Sequence, residues 1–213
     1  MSADRWVVLD VGETLIDESR VWNVWADVLG IAPLTVMAAI GAAIVAGGEH
    51  GDLFTILERP RWRELQPEVE RRYGGFQAID LYADALPAMA ALREAGFRLA
   101  VAGNQPARRH AELEALGIRP DAMAMSDELG ASKPDAAFFT RTLELLGGPE
   151  PGTVAYVGDR TDNDVTASAA AGLRPVWIRR GPWGYLQRDG AHRAALTVRT
   201  LTELAERIDE AWR

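Results

Sequence analysis

The sequence predicts an α/β fold: a doubly wound parallel sheet with a small helical domain inserted after the first strand. Three observations carry this. From about residue 83 onward, short apolar segments rich in β-branched residues alternate with helical patterns, the rhythm of a parallel sheet. One more such segment, Arg5-Trp6-Val7-Val8-Leu9, opens the chain. Between the two, residues 17–80 contain no good strand and divide into helical stretches.

Taken in order, Arg5 to Leu9 reads as a buried strand, and Asp10 sits where it empties into a loop. That edge of a parallel sheet is where ligands bind. In the insert, helices fit Ser19–Leu29, Leu34–Ala46, Asp52–Leu57 and Arg61–Tyr73. The turn Gly47-Gly48-Glu49-His50-Gly51-Asp52 is the candidate tip of a lid. Asp84 is expected to cap a helix that runs to Glu94 and stops at Gly96. A strand follows over Phe97–Ala102, a helix over Ala107–Leu116 and a weak strand over Ala122–Met125. Then come a helix over Asp135–Leu146, a strand over Thr153–Val157, a helix over Asp164–Ala171 and a strand over Pro175–Ile178. An amphipathic helix over Thr200–Trp212 closes the chain. The division expected is a core of residues 1–16 and 81–213 and a cap of residues 17–80, with hinges near 15–18 and 78–84.

Composition narrows the function. The chain has 213 residues, enough for a sizeable core, and a net charge of −8. That charge argues against a broad surface for nucleic acid or acidic lipid. Cysteine is absent, which removes disulfides, thiolate catalysis and zinc–thiolate sites. Val28 to Gly48 carries no charge and is long enough to span a membrane. Pro33, the glycines and the alanine-rich content instead point to one helix ending and another beginning inside a small domain. No signal peptide is evident before the first strand. A cytoplasmic protein, monomer or homodimer, is the expectation.

Four stretches fall at predicted strand ends or helix starts: Asp10 to Thr14, Val101 to Gln105, Ser132 to Asp135, and Val157 to Asp164. They bring an isolated carboxylate, an ammonium and an acidic pair to one edge. Such a set suits a hard divalent cation held by oxygen, with a phosphate bridging it to Lys133. Lys133 is the only lysine, beside 22 arginines, as if a compact three-donor charge were needed there. Arg108, Arg109 and Arg160 also fall near this edge and read individually as solvated surface. The three histidines share no ligand spacing. Trp22 and Trp25 read as packing residues, and Trp183 as a turn residue at the rim.

These motifs, in this order, resemble those of the haloacid dehalogenase-type (HAD) hydrolases with an inserted helical cap. Asp10 and Thr14 match the first motif, Asp-x-Asp-x-Thr, with Gly12 in place of its second aspartate. Asn104 matches the residue after the second-motif Ser/Thr, whose own position holds Gly103. Lys133-Pro134-Asp135 matches the third motif, and Gly158-Asp159 with Asn163-Asp164 the fourth. The resemblance implies a HAD-like Rossmannoid core and a phosphohydrolase acting on a small phosphorylated metabolite. Asp10 would be the nucleophile and Lys133 its partner. Mg2+ would be held by Asp10, the Gly12 carbonyl and Asp159, with Asp164 ligating directly or through water. The phosphate would be cradled around Val11, Gly12, Thr14, Gly103, Asn104 and Lys133. Because attack favours a closed site and hydrolysis needs water, the insert is expected to move.

Gly12 keeps a backbone carbonyl for the metal but lacks the family's acid–base group. Glu13, a cap residue or the substrate is left to supply it; otherwise acyl or aryl phosphates would be favoured over sugar phosphates. Two alternatives stay open. A 2-haloacid dehalogenase also lacks the second aspartate but needs no metal, and a catalytically weak phosphate-binding protein would tolerate both glycines. Phosphonate cleavage through a cap lysine is excluded, since residues 17–80 contain none.

Overall fold

The computed structural model describes residues 5–213; residues 1–4 of the expected core segment lie outside the described residues. Six strands form one sheet: β1 (Trp6–Leu9), β2 (Arg98–Gly103), β3 (Ala122–Met125), β4 (Val154–Gly158), β5 (Arg174–Ile178) and β6 (Leu196–Val198). Their order is β3-β2-β1-β4-β5-β6, and every pairing is parallel. Strand order therefore reverses beside β1, which places the mouth of a ligand crevice just beyond Leu9.

Four helices form the insert: α1 (Ser19–Leu29), α2 (Pro33–Val45), α3 (Asp52–Ile56) and α4 (Gln66–Tyr73). With the remaining strands come α5 (Ala85–Glu94), α6 (Arg108–Ala115), α7 (Ser126–Leu129), α8 (Ala136–Leu145), α9 (Ala167–Ala170), α10 (Gly181–Leu186) and α11 (Leu201–Arg207). Alternate residues of the buried strands serve opposite faces. Val7, Leu9, Val101 and Val157 pack against Met89 and Leu92 of α5 and Leu201 and Leu204 of α11. Trp6, Val8, Ala100 and Tyr156 pack against Phe138 and Phe139 of α8. Each such side chain gains about 1.5–3 kcal/mol by burial, so a one-residue slip of any central strand is strongly opposed. The sheet is doubly wound, as predicted.

The charge-free stretch resolves into the end of α1, a left-handed Gly30 (φ 67°) and all of α2. Among the described residues no single helix is long and apolar enough to cross a membrane, and α1 and α2 are bent by 114°. Val36, Ile40 and Ile44 of α2 instead pack with Trp25, Phe54 and Val69 of the insert and Trp183 of α10.

Several expectations need correction. Asp84 precedes α5 but does not cap it; its Oδ2 accepts from Arg180 Nη2 at 2.5 Å and Leu201 N at 2.8 Å, so tertiary contacts take the carboxylate. The helix expected from Asp164 is a π-helical turn over Thr161–Thr166, with α9 beginning only at Ala167; such wide turns are frequent at functional sites. The segment Arg61–Tyr73 is a 3-10 turn, Trp62–Leu65, and then α4, with Pro67 in the first turn of α4. The last helix stops at Arg207 and continues as a 3-10 segment, Ile208–Trp212. Strand β6 was not anticipated, because three residues give no readable periodicity. Trp183 lies on α10 rather than on a turn; Gly181-Pro182 there opens a helix, proline being tolerated in a first turn.

Candidate active site

At the carboxyl edge of β1, β2 and β4 lies a cavity of about 250 Å³. Asp10 is fixed by its own backbone: its N–H continues the sheet by donating to Val157 O at 2.9 Å. Its Oδ1 lies 2.8 Å from Lys133 Nζ, and the same ammonium donates to Asp164 Oδ1 at 2.7 Å. Burial disfavours charge on Lys133, but Asp10 and Asp164 outweigh it and hold the pKa well above the usual lysine value. Burial raises the Asp10 pKa to about 6, with Lys133 opposing.

One oxygen from each of Asp10, Asp159 and Asp164 lies within 4.8 Å of the others, and all three residues are buried. Burial and the neighbouring carboxylates push the Asp159 pKa well up. Its Oδ2 is buried with no hydrogen-bond partner. A buried carboxylate oxygen without a donor is costly unless a cation meets it. The oxygen-only set fits a hard divalent ion. Asp164 is more committed: Oδ1 holds Lys133, and Oδ2 accepts from Arg160 N at 2.8 Å.

Of the predicted residues, Asp10, Gly12, Asn104, Lys133 and Asp159 line the cavity. Val11 and Thr14 are fully buried and, like Gly103 and Asp164, stand behind the wall. The Asn104 amide clamps the backbone of Lys133, donating to its carbonyl at 2.9 Å and accepting from its N–H at 2.8 Å. A Cβ on Gly103 would stand 2.5 Å from Asp10 Oδ1 and 3.1 Å from Val11 Cγ2, so the missing side chain is space that Asp10 and Val11 fill.

Glu13 and Glu18 divide the region around Gly12. Glu13 has a left-handed backbone (φ 50°). Its Oε2 accepts from Tyr82 OH at 2.5 Å and its Oε1 from Glu18 N at 3.0 Å, so the carboxylate is engaged on both sides. Glu18 lines the cavity. A Cβ added to Gly12 would stand 2.5 Å from Glu18 Oε1 and 3.0 Å from its Cδ. Burial, then the charges of Glu13 and Asp10, raise the Glu18 pKa to about 8.

The insert reaches this edge through the predicted lid tip. Glu49 and His50 line the cavity. Arg160 is buried, not solvated: it pairs with Glu49 (2.8 and 2.9 Å) and Asp162 (3.0 and 2.7 Å), and its guanidinium lies 3.8 Å over the Trp183 ring. Arg109 is likewise buried on Glu70 and Glu112, whereas Arg108 is exposed. Trp183 Nε1 donates to His50 Nε2 at 3.0 Å. An indole N–H can only donate, so this histidine nitrogen carries a lone pair and the ring is neutral. Burial and the Arg160 charge agree, lowering the His50 pKa to about 4. Trp22 stacks on His50, while Trp25 is buried against Phe54 and Trp62. His50 and Glu18 escaped sequence reading; the one available signal was their placement, at the lid tip and at the junction into the insert.

A family model described as haloacid dehalogenase-like hydrolase matches residues 5–172. A glyceraldehyde 3-phosphate phosphatase from Methanopyrus kandleri is 35% identical over 213 aligned positions, covering 83% of this chain and 84% of that protein. A solved HAD family hydrolase from Deinococcus radiodurans R1, with bound phosphate and sodium, superposes with a TM-score of 0.71 at 19% identity, over 98% of this chain and 96% of that one. A solved L-2-haloacid dehalogenase superposes equally well, with a TM-score of 0.72 at 17% identity, over 98% and 100%. At these identities the superpositions speak for the fold alone, and they do not separate dehalogenase from phosphatase.

Proposed function

The chain belongs to the haloacid dehalogenase-like hydrolases, and on that premise we propose that it is a magnesium-dependent phosphohydrolase of a small phosphorylated metabolite, working through an aspartyl-phosphate on Asp10. The carrying observation is the buried, partnerless Asp159 Oδ2 beside an ammonium shared by Asp10 and Asp164. That acidic cluster weighs against the metal-free dehalogenase reading. The relative from Methanopyrus kandleri, one of several, is named for a phosphorylated three-carbon aldehyde and supports the substrate class.

In this reading Asp10, the Gly12 carbonyl, Asp159 and Asp164 would hold Mg2+, which would supply positive charge to offset that of the phosphate. Lys133 keeps Asp10 ionised and in place, and Asn104 fixes the backbone of Lys133. Asp10 attacks phosphorus, the ester P–O bond breaks, and water later releases phosphate from Asp10. Residues 17–80 act as a cap over the core of 1–16 and 81–213. Arg160 joins the two through Glu49, and the cap opens to admit water and release product.

The leaving group is an uncharged one. Arg160, the second cation among the described residues lining the cavity, is already neutralised by Glu49 and Asp162, so it offers a carboxylate no unpaired positive charge. A monomer or homodimer acting in the cytoplasm, without nucleic acid or membrane, completes the proposal. The test is a panel of phosphorylated metabolites with and without magnesium, run beside Asp10→Asn. Magnesium-dependent phosphate release by the wild type alone supports the reading; release that persists in Asp10→Asn overturns it.

A further inference from the structure

Glu18 stands at the N-terminal boundary of α1, where a polar side chain ordinarily caps the first turn. It makes no cap bond; Asp17 Oδ1 accepts from Ser19 N at 2.8 Å instead. Among the described residues no hydrogen bond holds the Glu18 carboxyl, although the neighbouring Glu13 carboxylate is bonded on both oxygens. The Glu18 side chain turns into the cavity that Asp10, Lys133 and Asp159 line. There its Oε1 and Cδ lie 2.5 and 3.0 Å from where a Cβ of residue 12 would stand. A side chain at residue 12 and the Glu18 carboxyl would compete for one volume.

We propose that Glu18 is the proton-transferring residue of this site, its carboxyl reaching from the start of the insert into the space left open by Gly12. The inference rests on the phosphohydrolase reading. In the first step an Asp10 oxygen bonds to phosphorus while the P–O bond to the leaving group breaks. The bonding pair stays on the leaving oxygen, which takes the Glu18 proton and departs as an alcohol. In the second step the Glu18 carboxylate takes a proton from water as the water oxygen bonds to phosphorus. The P–O bond to Asp10 breaks, releasing phosphate and restoring both carboxyl groups. Because the donor is carried by the insert, seating the insert also delivers the acid.

The experiment compares kcat/KM for an alkyl phosphate, glycerol phosphate, and for p-nitrophenyl phosphate, whose leaving group needs little protonation. Glu18→Gln is expected to lower the alkyl value by about 10²–10⁴, the usual worth of a general acid, and the aryl value by less than about tenfold. Magnesium-dependent aryl turnover in the same variant reports that the site has folded. Where aryl turnover remains measurable, an equal loss on both substrates, or no loss on the alkyl ester, overturns the proposal. Should Glu18→Gln lose aryl turnover as well, the double variant Gly12→Asp/Glu18→Ala decides. Alkyl turnover above that of Glu18→Ala supports the role, because the carboxyl has been returned to the same volume from the other side; turnover equal or lower overturns it. Failure of the wild type to hydrolyse either substrate would instead count against the phosphohydrolase reading.

Discussion

Lys133 Nζ lies 2.8 Å from Asp10 Oδ1 and 2.7 Å from Asp164 Oδ1, so a single buried ammonium links the end of β1 to the turn after β4. Arg160, which also lines the cavity, is taken up by Glu49 and Asp162. Lys133→Met should leave two buried carboxylates facing each other and cost about 10²–10³ in kcat, the scale of losing one charge-stabilising donor. Lys133→Arg should rescue little, because a planar fork does not fit a point-charge position. Steady-state rates for the two variants check this; near-wild-type activity in the arginine variant would refute the point-charge argument.

Magnesium should stabilise the fold through Asp159. A ligand present at a hundred times its dissociation constant adds about 2.7 kcal/mol. Thermal unfolding of the wild type should therefore shift upward with magnesium. Asp159→Ala should be less sensitive to the ion, and it should need far more magnesium for turnover. An equal thermal shift in both proteins would place the ion elsewhere.

Adding a hydroxyl side chain at position 103 should harm this protein. The new Cβ would stand 2.5 Å from Asp10 Oδ1 and 3.3 Å from Val11 N. Gly103→Ser is expected to cost about 1–3 kcal/mol of stability, as other overpacking does, and to displace the Asp10 carboxylate. Urea unfolding and kcat should both fall; a gain in activity would mean that Asp10 has another place to go.

Acid should loosen the protein through His50. Its folded pKa is lowered to about 4 from an ordinary 6.5. Between those values the unfolded chain binds the proton and the folded chain does not, so stability falls as pH falls. The contribution is fully present above about pH 6.5 and is lost towards pH 4, with a ceiling of about 3 kcal/mol. His50→Gln should flatten the pH dependence of unfolding across this window. An unchanged slope would mean that His50 titrates normally.

The core was readable because it is built from continuous signals. β1, β2, β4 and β5 are runs of buried apolar residues, and Gly96 (φ 89°) marks the end of the α5 segment as expected. The approximate edges of the insert helices were also legible, α1 to the residue. What was hidden depends on tertiary partners. Asp84 looks like a cap until Arg180 and the N–H of Leu201 claim it. Arg160 looks solvated until Glu49, 111 residues away, folds over it. Glu18 carries no motif at all, and its role is visible only once the space beside Gly12 is seen to be occupied.

The proposed mechanism requires a bond between phosphorus and Asp10. The most direct measurement is to mix the enzyme with magnesium and a phosphate ester it hydrolyses, quench in acid within a turnover, and map the phosphoryl group by peptide mass spectrometry. A phosphoryl group is expected on the peptide containing Asp10, absent in Asp10→Asn and absent when magnesium is withheld. A phosphoryl group on any other residue, or full turnover by Asp10→Asn, would contradict it.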